Sequence, residues 1–309
     1  MSLIDYKNKV FLKLYKKKVQ WDDNRQSDKS IKEYEKYFDH VLKILQPECQ
    51  AAIKKVNTDI NQKYFDLLSN IYVMWWQGID HAPRLVQNNI KRMQQIFGQE
   101  NVHVITQENW KEYCSISDTI ISKFNDNRIS ITAFSDIIRF NLLKNHGGLW
   151  IDSTVILSNK SKDILSKYSN KEFFSISNKD NDYHYISKSR WTAWLVGGRP
   201  SYPLFEFINS FYEIYFIKHD FLIDYYTIDD IIAYFYIISD NFRKDIEVIS
   251  NDWHPYLWSE NISKIYNKNL IDEFKQNPLY GIQKFTYKYN KEDALNPQSM
   301  LYAILNSNL

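Results

Sequence analysis

The chain has 309 residues, enough to bury a full core as one large domain or as one domain with a helical subdomain. Its 39 Lys and Arg against 37 Asp and Glu leave a net charge of +2, which argues against a dedicated nucleic-acid binder. The two cysteines, Cys49 and Cys114, lie far apart without metal-type spacing, so they read as free thiols of a reducing compartment.

Residues 1–68 contain no glycine and read as a helical N-terminal extension. From Tyr6 to Lys18, six lysines interleave with Val10, Phe11, Leu12, Leu14 and Tyr15. Two readings stay open: a solvated helix with one apolar stripe packed on the body, or a peripheral contact with anionic lipid. A second helix is predicted from Ser30 to Leu45 and a third from about Glu48 to Leu68. With no apolar stretch near residue 1 and no run approaching 18 apolar residues, neither a signal peptide nor a membrane span is expected. A cytoplasmic protein is expected, free or peripheral at the inner face of the cell membrane.

Residues 69–309 read as a single α/β domain. Ile71–Trp76 is a continuous apolar run bounded by Gln77 and Gly78, the pattern of a buried strand. Pro83 opens a helix to about Phe97, and Val102–Thr106 is the next strand. Strand, helix, strand in that order predicts a parallel βαβ unit. Residues 107–129 are polar and mixed. Ser130 or Thr132 caps a helix that ends at His146, before Gly147 and Gly148. Strands follow at Leu149–Leu157, Phe173–Ser177 and Trp194–Val196, then helices at Pro203–Lys218 and Tyr225–Ile238. A late strand at Ile282–Tyr287 and a terminal helix at Pro297–Leu305 complete the reading. Gly197-Gly198 and Asn251-Asp252 read as turns. The pair Asp229-Asp230 is either a helix-start carboxylate pair or part of an acceptor surface. His81 and His184 lack a partner at ligand spacing.

Polar groups set into apolar elements mark one segment. On the 130–146 helix, Ile131, Phe134, Ile138 and Leu142 form the core stripe, while Asp136 and Arg139, three apart, share a neighbouring face. That pair either satisfies itself or grips hydroxyls or a phosphate at a pocket wall. In a regular strand Trp150, Asp152, Thr154 and Ile156 share one face. A carboxylate there suits a divalent ion or a ribose hydroxyl, because ligands gather at the carboxyl ends of α/β strands. The aromatic content of 16% suits stacking on flat rings or sugar faces, or reflects a biased residue usage.

Ser135-Asp136-x-x-Arg139, followed by Gly147-Gly148-Leu-Trp-Ile-Asp152-Ser-Thr154, resembles the signature of DXD-containing sugar transferases. These are glycosyltransferase family 32 and its relatives, including the large clostridial toxin glucosyltransferases. The nearest resemblance is to bacterial capsular polysaccharide synthesis proteins. Trp75-Trp76-Gln77-Gly78, Ala82-Pro83, Asp224-Tyr225 and Thr286-Tyr-Lys288 have counterparts there. The resemblance runs from about residue 71 to 290 and leaves residues 1–68 outside.

It implies a GT-A, Rossmann-like fold and a nucleotide-diphosphate sugar donor, UDP-linked by expectation. The acceptor would be a growing glycan or a lipid-linked oligosaccharide, and transfer would retain anomeric configuration. By position it implies catalytic roles for Asp136, Arg139, Asp152 and Asp224. Donor contacts would come from Trp75, Trp76, Gln77, Gly78, Ser135, Gly148, Trp150, Ser153 and Lys288, besides Asp136, Arg139 and Asp152. A divalent cation, Mn²⁺ or Mg²⁺, would sit on Asp152. The second acidic place of the motif is Thr154, a weak ligand for a hard cation. His254 is a candidate extra ligand, and Arg139 and Lys288 are candidate cations for the leaving diphosphate. A catalytically silent binder of sugar nucleotides or glycans on the same fold is the rival reading, kept open by Thr154. A two-metal phosphoesterase lacks the His and Asp ligand set it would need.

Overall fold

Ile71, Tyr72, Val73 and Met74 are all buried, because strand β1 (Ile71–Met74) has a neighbour on each side. The computed structural model describes residues 3–23, 30–56, 65–178, 182–250, 252–262 and 264–306. Helix α1 (Leu3–Asp23) and helix α2 (Ser30–Ile53) precede the sheet. After β1 come α3 (Arg84–Phe97), β2 (Val102–Ile105), the short α4 (Trp110–Tyr113), α5 (Asp118–Asn125) and α6 (Ile131–His146). Next are β3 (Gly148–Ile151), β4 (Val155–Leu157), α7 (Ser161–Ser166), β5 (Phe173–Ser175) and β6 (Leu195–Gly198). The remainder is helical apart from one strand: α8 (Pro203–Lys218), α9 (Thr227–Ile238), α10 (Asp240–Glu247), α11 (Lys268–Gln276), β7 (Ile282–Lys284), α12 (Lys291–Leu295) and α13 (Met300–Asn306).

The main sheet runs β2-β1-β3-β6-β5. β1 pairs parallel with β2, as the βαβ reading requires, and parallel with β3. β6 is antiparallel to both β3 and β5, giving a mixed sheet compatible with a Rossmann-like fold. The chain leaves β1 toward β2 and returns to β1's other side as β3. That reversal opens a crevice beyond the carboxyl ends of β1 and β3, where ligands of open α/β sheets bind.

Several elements differ from the sequence reading. The second and third helices are one, α2, which runs through Pro47 and ends at Ile53. Tyr34, Tyr37, Val41, Leu45, Cys49 and Ala52 keep one buried stripe across the proline. Each buried side chain contributes roughly 1.5–3 kcal/mol, and together they outweigh the ~3 kcal/mol cost of a helical proline. Residues 57–64 of the expected third helix lie outside the described residues. Ile131 is exposed rather than core-facing, because it is the first helical residue after the Ser130 cap, whose hydroxyl accepts from Ala133 N at 3.2 Å.

The expected Leu149–Leu157 strand is broken. Val155 N donates to Asp152 O at 2.9 Å, so residues 152–154 turn out of the sheet. β4 then pairs antiparallel with β7 in a separate two-stranded sheet. Gly197 and Gly198 are not a turn but the end of β6, opposite Leu149 and Gly148. A Cβ at either would lie 2.4 Å from a backbone oxygen, of Gly148 or of Glu172, so only glycine permits this pairing. Asp252 is described but Asn251, the other half of the second expected turn, is not.

The N-terminal helices share the core of the body. Leu12, Val19, Tyr37 and Val41 belong to one apolar cluster with Phe207, Ile208, Phe211 and Tyr212 of α8. α2 packs on both α8 and α9, and α1 packs on α2. His184 sits between Asp182 and Asp23, at 2.5 and 2.7 Å, tying the end of α1 to the loop after β5.

Gly148 has φ +106° and its added Cβ would lie 2.3 Å from Asn70 O. Backbone strain and overpacking each carry roughly 1–3 kcal/mol, so Gly148→Ala is expected to lose about 2–6 kcal/mol. Urea denaturation against the parent chain measures it; a change under 1 kcal/mol would contradict the close approach of β3 to Asn70.

Candidate active site

Two strand ends and one helix converge at the crevice. β1 ends at Met74, leaving Trp75 and Trp76 beyond it; β3 ends at Ile151, leaving Asp152 beyond it. α6 passes alongside with Asp136 and Arg139 one turn apart, both buried. Arg139 Nη1 donates to Asp136 Oδ1 at 2.7 Å and Nη2 donates to Asp152 Oδ1 at 3.1 Å. Its guanidinium lies 4.8 Å from the centroid of the Trp150 ring, and Trp150 Nε1 donates to Asp152 Oδ1 at 2.8 Å. Trp150 itself is fully buried, so it holds both charged groups from below.

The fourth charged member is Lys284, at the end of β7. Its Nζ donates to Asp152 Oδ2 at 2.7 Å and to Thr154 Oγ1 at 2.8 Å. β4 follows the 152–154 turn directly and pairs with β7, placing Val155 opposite Lys284. Phe285 N donates to Thr154 O at 3.1 Å, and Asp152 N donates to Trp194 O at 2.9 Å. Asn89 of α3 donates to Ser153 O at 2.9 Å. The turn is thus fastened by three neighbouring elements.

The two carboxyls titrate in opposite directions. Burial works against ionisation of Asp152, but Lys284 and Arg139 outweigh it and hold its carboxyl below the usual range. Burial dominates at Asp136; Arg139 opposes it, neighbouring Asp152 reinforces it, and the carboxyl is pushed up to about 6. Asp229, in the first turn of α9, is likewise pushed up to about 6 by burial, although Trp191 Nε1 donates to it at 3.1 Å. Asp230 beside it is buried, which pushes its carboxyl well up.

Asp136 also faces a pocket of about 500 Å³ between α1, α6 and the loop after α8. Asp224 lies across that pocket, accepting from Tyr37 Oη at 3.3 Å and pairing with Lys16 at 3.6 Å. Lys9, Lys13 and Lys17 of α1 line the same space.

The remaining expected residues divide. Trp75 borders the crevice and meets Tyr287 edge-to-face at 5.4 Å between ring centroids. Trp76 turns the other way and packs against Phe124 and Phe134. Gln77 is exposed in the turn closed by Gly78, whose φ is +85°. Ser135 is half-buried on α6. Gly148 lies at the opposite end of β3 from Asp152 and serves packing. Ser153 and Thr154 are buried within the turn. Lys288 is exposed beside Tyr287, 5.9 Å from its ring centroid. His254 stacks on Tyr280 at 4.8 Å, and among the described residues no hydrogen bond joins it to Asp152 or Thr154. Sequence reasoning missed Lys284, choosing a lysine four residues away. The late strand was visible, but its pairing with the strand after Asp152 was not.

A divalent cation does not fit this donor set. Both Asp152 oxygens already accept from protonated donors, two of them cationic. Thr154 Oγ1 accepts from the same ammonium. A hard cation takes about six oxygen ligands, and among the described residues no group of three His, Cys, Asp or Glu side chains could hold one.

The fold is a mixed α/β sheet with charged side chains gathered at its switch point, the position where open α/β sheets bind ligands. The chain belongs to the family described as capsular polysaccharide synthesis protein, whose model it matches over residues 20–304. The match begins well before residue 71, so it takes in most of the N-terminal helical region. No curated protein and no solved structure matches the chain. Membership points to a role in capsule biosynthesis and is consistent with a transferase.

Arg139→Leu leaves the buried Asp136 without its cationic partner, a change expected to cost about 3–5 kcal/mol at pH 7. The variant's native state then binds protons more readily than its unfolded state, so its stability should fall as pH rises. Urea denaturation at pH 5 and pH 7 measures this. An equal loss at both values would show that the carboxyls are not the source.

Proposed function

We propose that this protein is a glycosyltransferase that moves a hexose from a nucleotide-diphosphate sugar, UDP-linked, to a growing capsular glycan or its lipid-linked precursor. The observation that carries this reading is the Asp136–Arg139–Asp152 network at the mouth of the β1/β3 crevice. Taking Asp136 and Arg139 fully out of water and Asp152 largely so stabilises a fold little, because each ion costs several kcal/mol to desolvate and apolar groups of the same shape do as well. Such a cluster at a ligand-binding position therefore supports a catalytic role. Trp75 and Tyr287 offer aromatic surfaces to a base, while Asp136 and Arg139 suit the hydroxyls of the donor sugar.

The chemistry follows from charge. The C1–oxygen bond to the diphosphate breaks with its electron pair on the phosphate oxygen. The acceptor hydroxyl adds to C1 from the same face, and its proton passes to that departing oxygen, so configuration is retained. Negative charge grows on the diphosphate and positive charge on the sugar ring, and fixed charges oriented in advance lower the barrier. The pocket between Asp136 and Asp224 suits the acceptor, as it adjoins the donor-sugar carboxylate.

The outward face of α1 supports work at a membrane surface. Ile4, Val10, Phe11, Leu14 and Trp21 are exposed there, interleaved with exposed Lys7 and Lys18, while Leu12 and Val19 point into the core. An apolar stripe edged by lysines matches an anionic lipid surface in both respects. No helix among the described residues is long and apolar enough to cross a membrane.

Release of nucleoside diphosphate from a panel of donor sugars, with a capsular oligosaccharide as acceptor, tests the reaction. Turnover is expected with at least one donor, and Asp152→Asn should lose more than 100-fold (about 2.7 kcal/mol or more in the barrier) with its fold intact by circular dichroism. Binding without turnover on any donor would instead favour the silent sugar-nucleotide binder. Because Asp136 must be ionised to hold Arg139 and the sugar, and its carboxyl lies at about 6, kcat/KM should fall as pH drops below that value. A flat profile from pH 5 to 7 would remove Asp136 from this role. Separately, Val10→Ser with Leu14→Ser should reduce sedimentation with phosphatidylglycerol vesicles while sparing transfer to a soluble acceptor; unchanged sedimentation would count against the membrane face.

A further inference from the structure

The Asp152-Ser153-Thr154 turn presents an acid and a hydroxyl where the resemblance expects two acids and a divalent cation. What lies between them is the ammonium of Lys284, 2.7 Å from Asp152 Oδ2 and 2.8 Å from Thr154 Oγ1. We propose that Lys284 is the cation of this site: its ammonium binds the leaving diphosphate of the donor, and the protein needs no divalent metal. This rests on the glycosyltransferase reading for its ligand and deepens it.

Three features carry the assignment. The first is placement. Lys284 ends β7, and β7 is paired with β4, the strand that leaves the 152–154 turn. Lys284 N donates to Pro255 O at 2.7 Å and Phe285 N to Thr154 O at 3.1 Å, so the backbone on each side of the side chain is fixed. The second is valence. An ammonium has three N–H donors; Asp152 and Thr154 accept two, and one remains for an anionic oxygen. The side chain keeps 22% exposure, so a ligand reaches it, whereas the Arg139 side chain keeps 7%. The third is charge. Asp136 and Asp152 are already balanced by Arg139 and Lys284. A divalent ion on Asp152 would meet an ammonium and a guanidinium at contact distance, and that repulsion opposes its binding. Thr154 follows from the same arrangement. A second acid there would leave the cluster with surplus negative charge and repel the diphosphate, whereas a hydroxyl accepts from the ammonium and leaves its charge for the ligand.

The test is calorimetric binding of UDP, GDP, CDP and ADP, taking forward the tightest, together with its monophosphate. For the wild-type chain the diphosphate Kd should be the same within twofold in EDTA, Mg²⁺ and Mn²⁺. Lys284→Ala should raise the diphosphate Kd at least tenfold and leave monophosphate binding within threefold, which excludes general unfolding. Lys284→Arg should recover part of the loss. Binding that requires a divalent ion, a Lys284→Ala variant that binds the diphosphate as the parent does, or no diphosphate binding by the parent, would each overturn the assignment. If lysine-dependent binding is found but no donor sugar is turned over, the cation assignment stands and the transferase reading fails. Where turnover exists, it should persist in EDTA and fall in Lys284→Ala, and propylammonium should restore part of it by filling the vacated position.

Discussion

Arg139 holds two carboxylates that belong to different parts of the fold. Asp136 is its neighbour on α6, while Asp152 lies just beyond β3. The guanidinium can serve both because α6 and β3 are joined by a turn of two glycines, Gly147 and Gly148, both at positive φ. A longer connection would let the helix drift from the strand it precedes. A side chain at Gly148 would push β3 off Asn70 and, with it, Asp152 away from Arg139. The geometry of the crevice depends on this one planar group being buried against Trp150 with its fork satisfied on two sides.

The rest of the molecule supplies what that bridge lacks. Two cations and two anions in a row lose part of their hydration, and their mutual pairing has to offset that cost. Trp150 and Lys284 complete Asp152, and Asn89 and Phe285 fasten the turn that carries it. The antiparallel β4–β7 pair is small, yet it brings a residue 132 positions away into the cluster. On the opposite side α1 and α2, which the resemblance left outside the family region, pack into the same apolar cluster as α8. They form a wall of the pocket that Asp136 and Asp224 share. The family match, which begins at residue 20, takes in α2 and leaves most of α1 outside.

How much of this was legible in the sequence depends on the range of the interaction. The Asp136–Arg139 pair is an i, i+3 relation within one helix, and helical periodicity alone specifies it. The apolar run at Ile71, the helix after Pro83 and the glycines after His146 are likewise local signals, and each fell where the pattern placed it. Trp75 and Trp76 were read as equivalent, but alternation across the strand end sends one to the crevice and the other under α5. The strand through Asp152 was misjudged because Val155, Ile156 and Leu157 continue the apolar pattern beyond the turn. Nothing local tells a continuous strand from two strands of different sheets.

The sequence by itself determined the parallel βαβ start, the charged helix before a glycine turn, and an acid at a strand end with Thr154 in the second acidic place. These rest on periods of two and of 3.6 residues and on the backbone freedom of glycine. Tertiary structure alone decided the partner of that acid. Lys284 and Lys288 are alike in composition and four residues apart; only the register of β7 against β4 puts one on Asp152 and leaves the other in solvent. Strand register is set by which long-range pairing buries the most apolar surface, and that is a property of the assembled chain rather than of any segment.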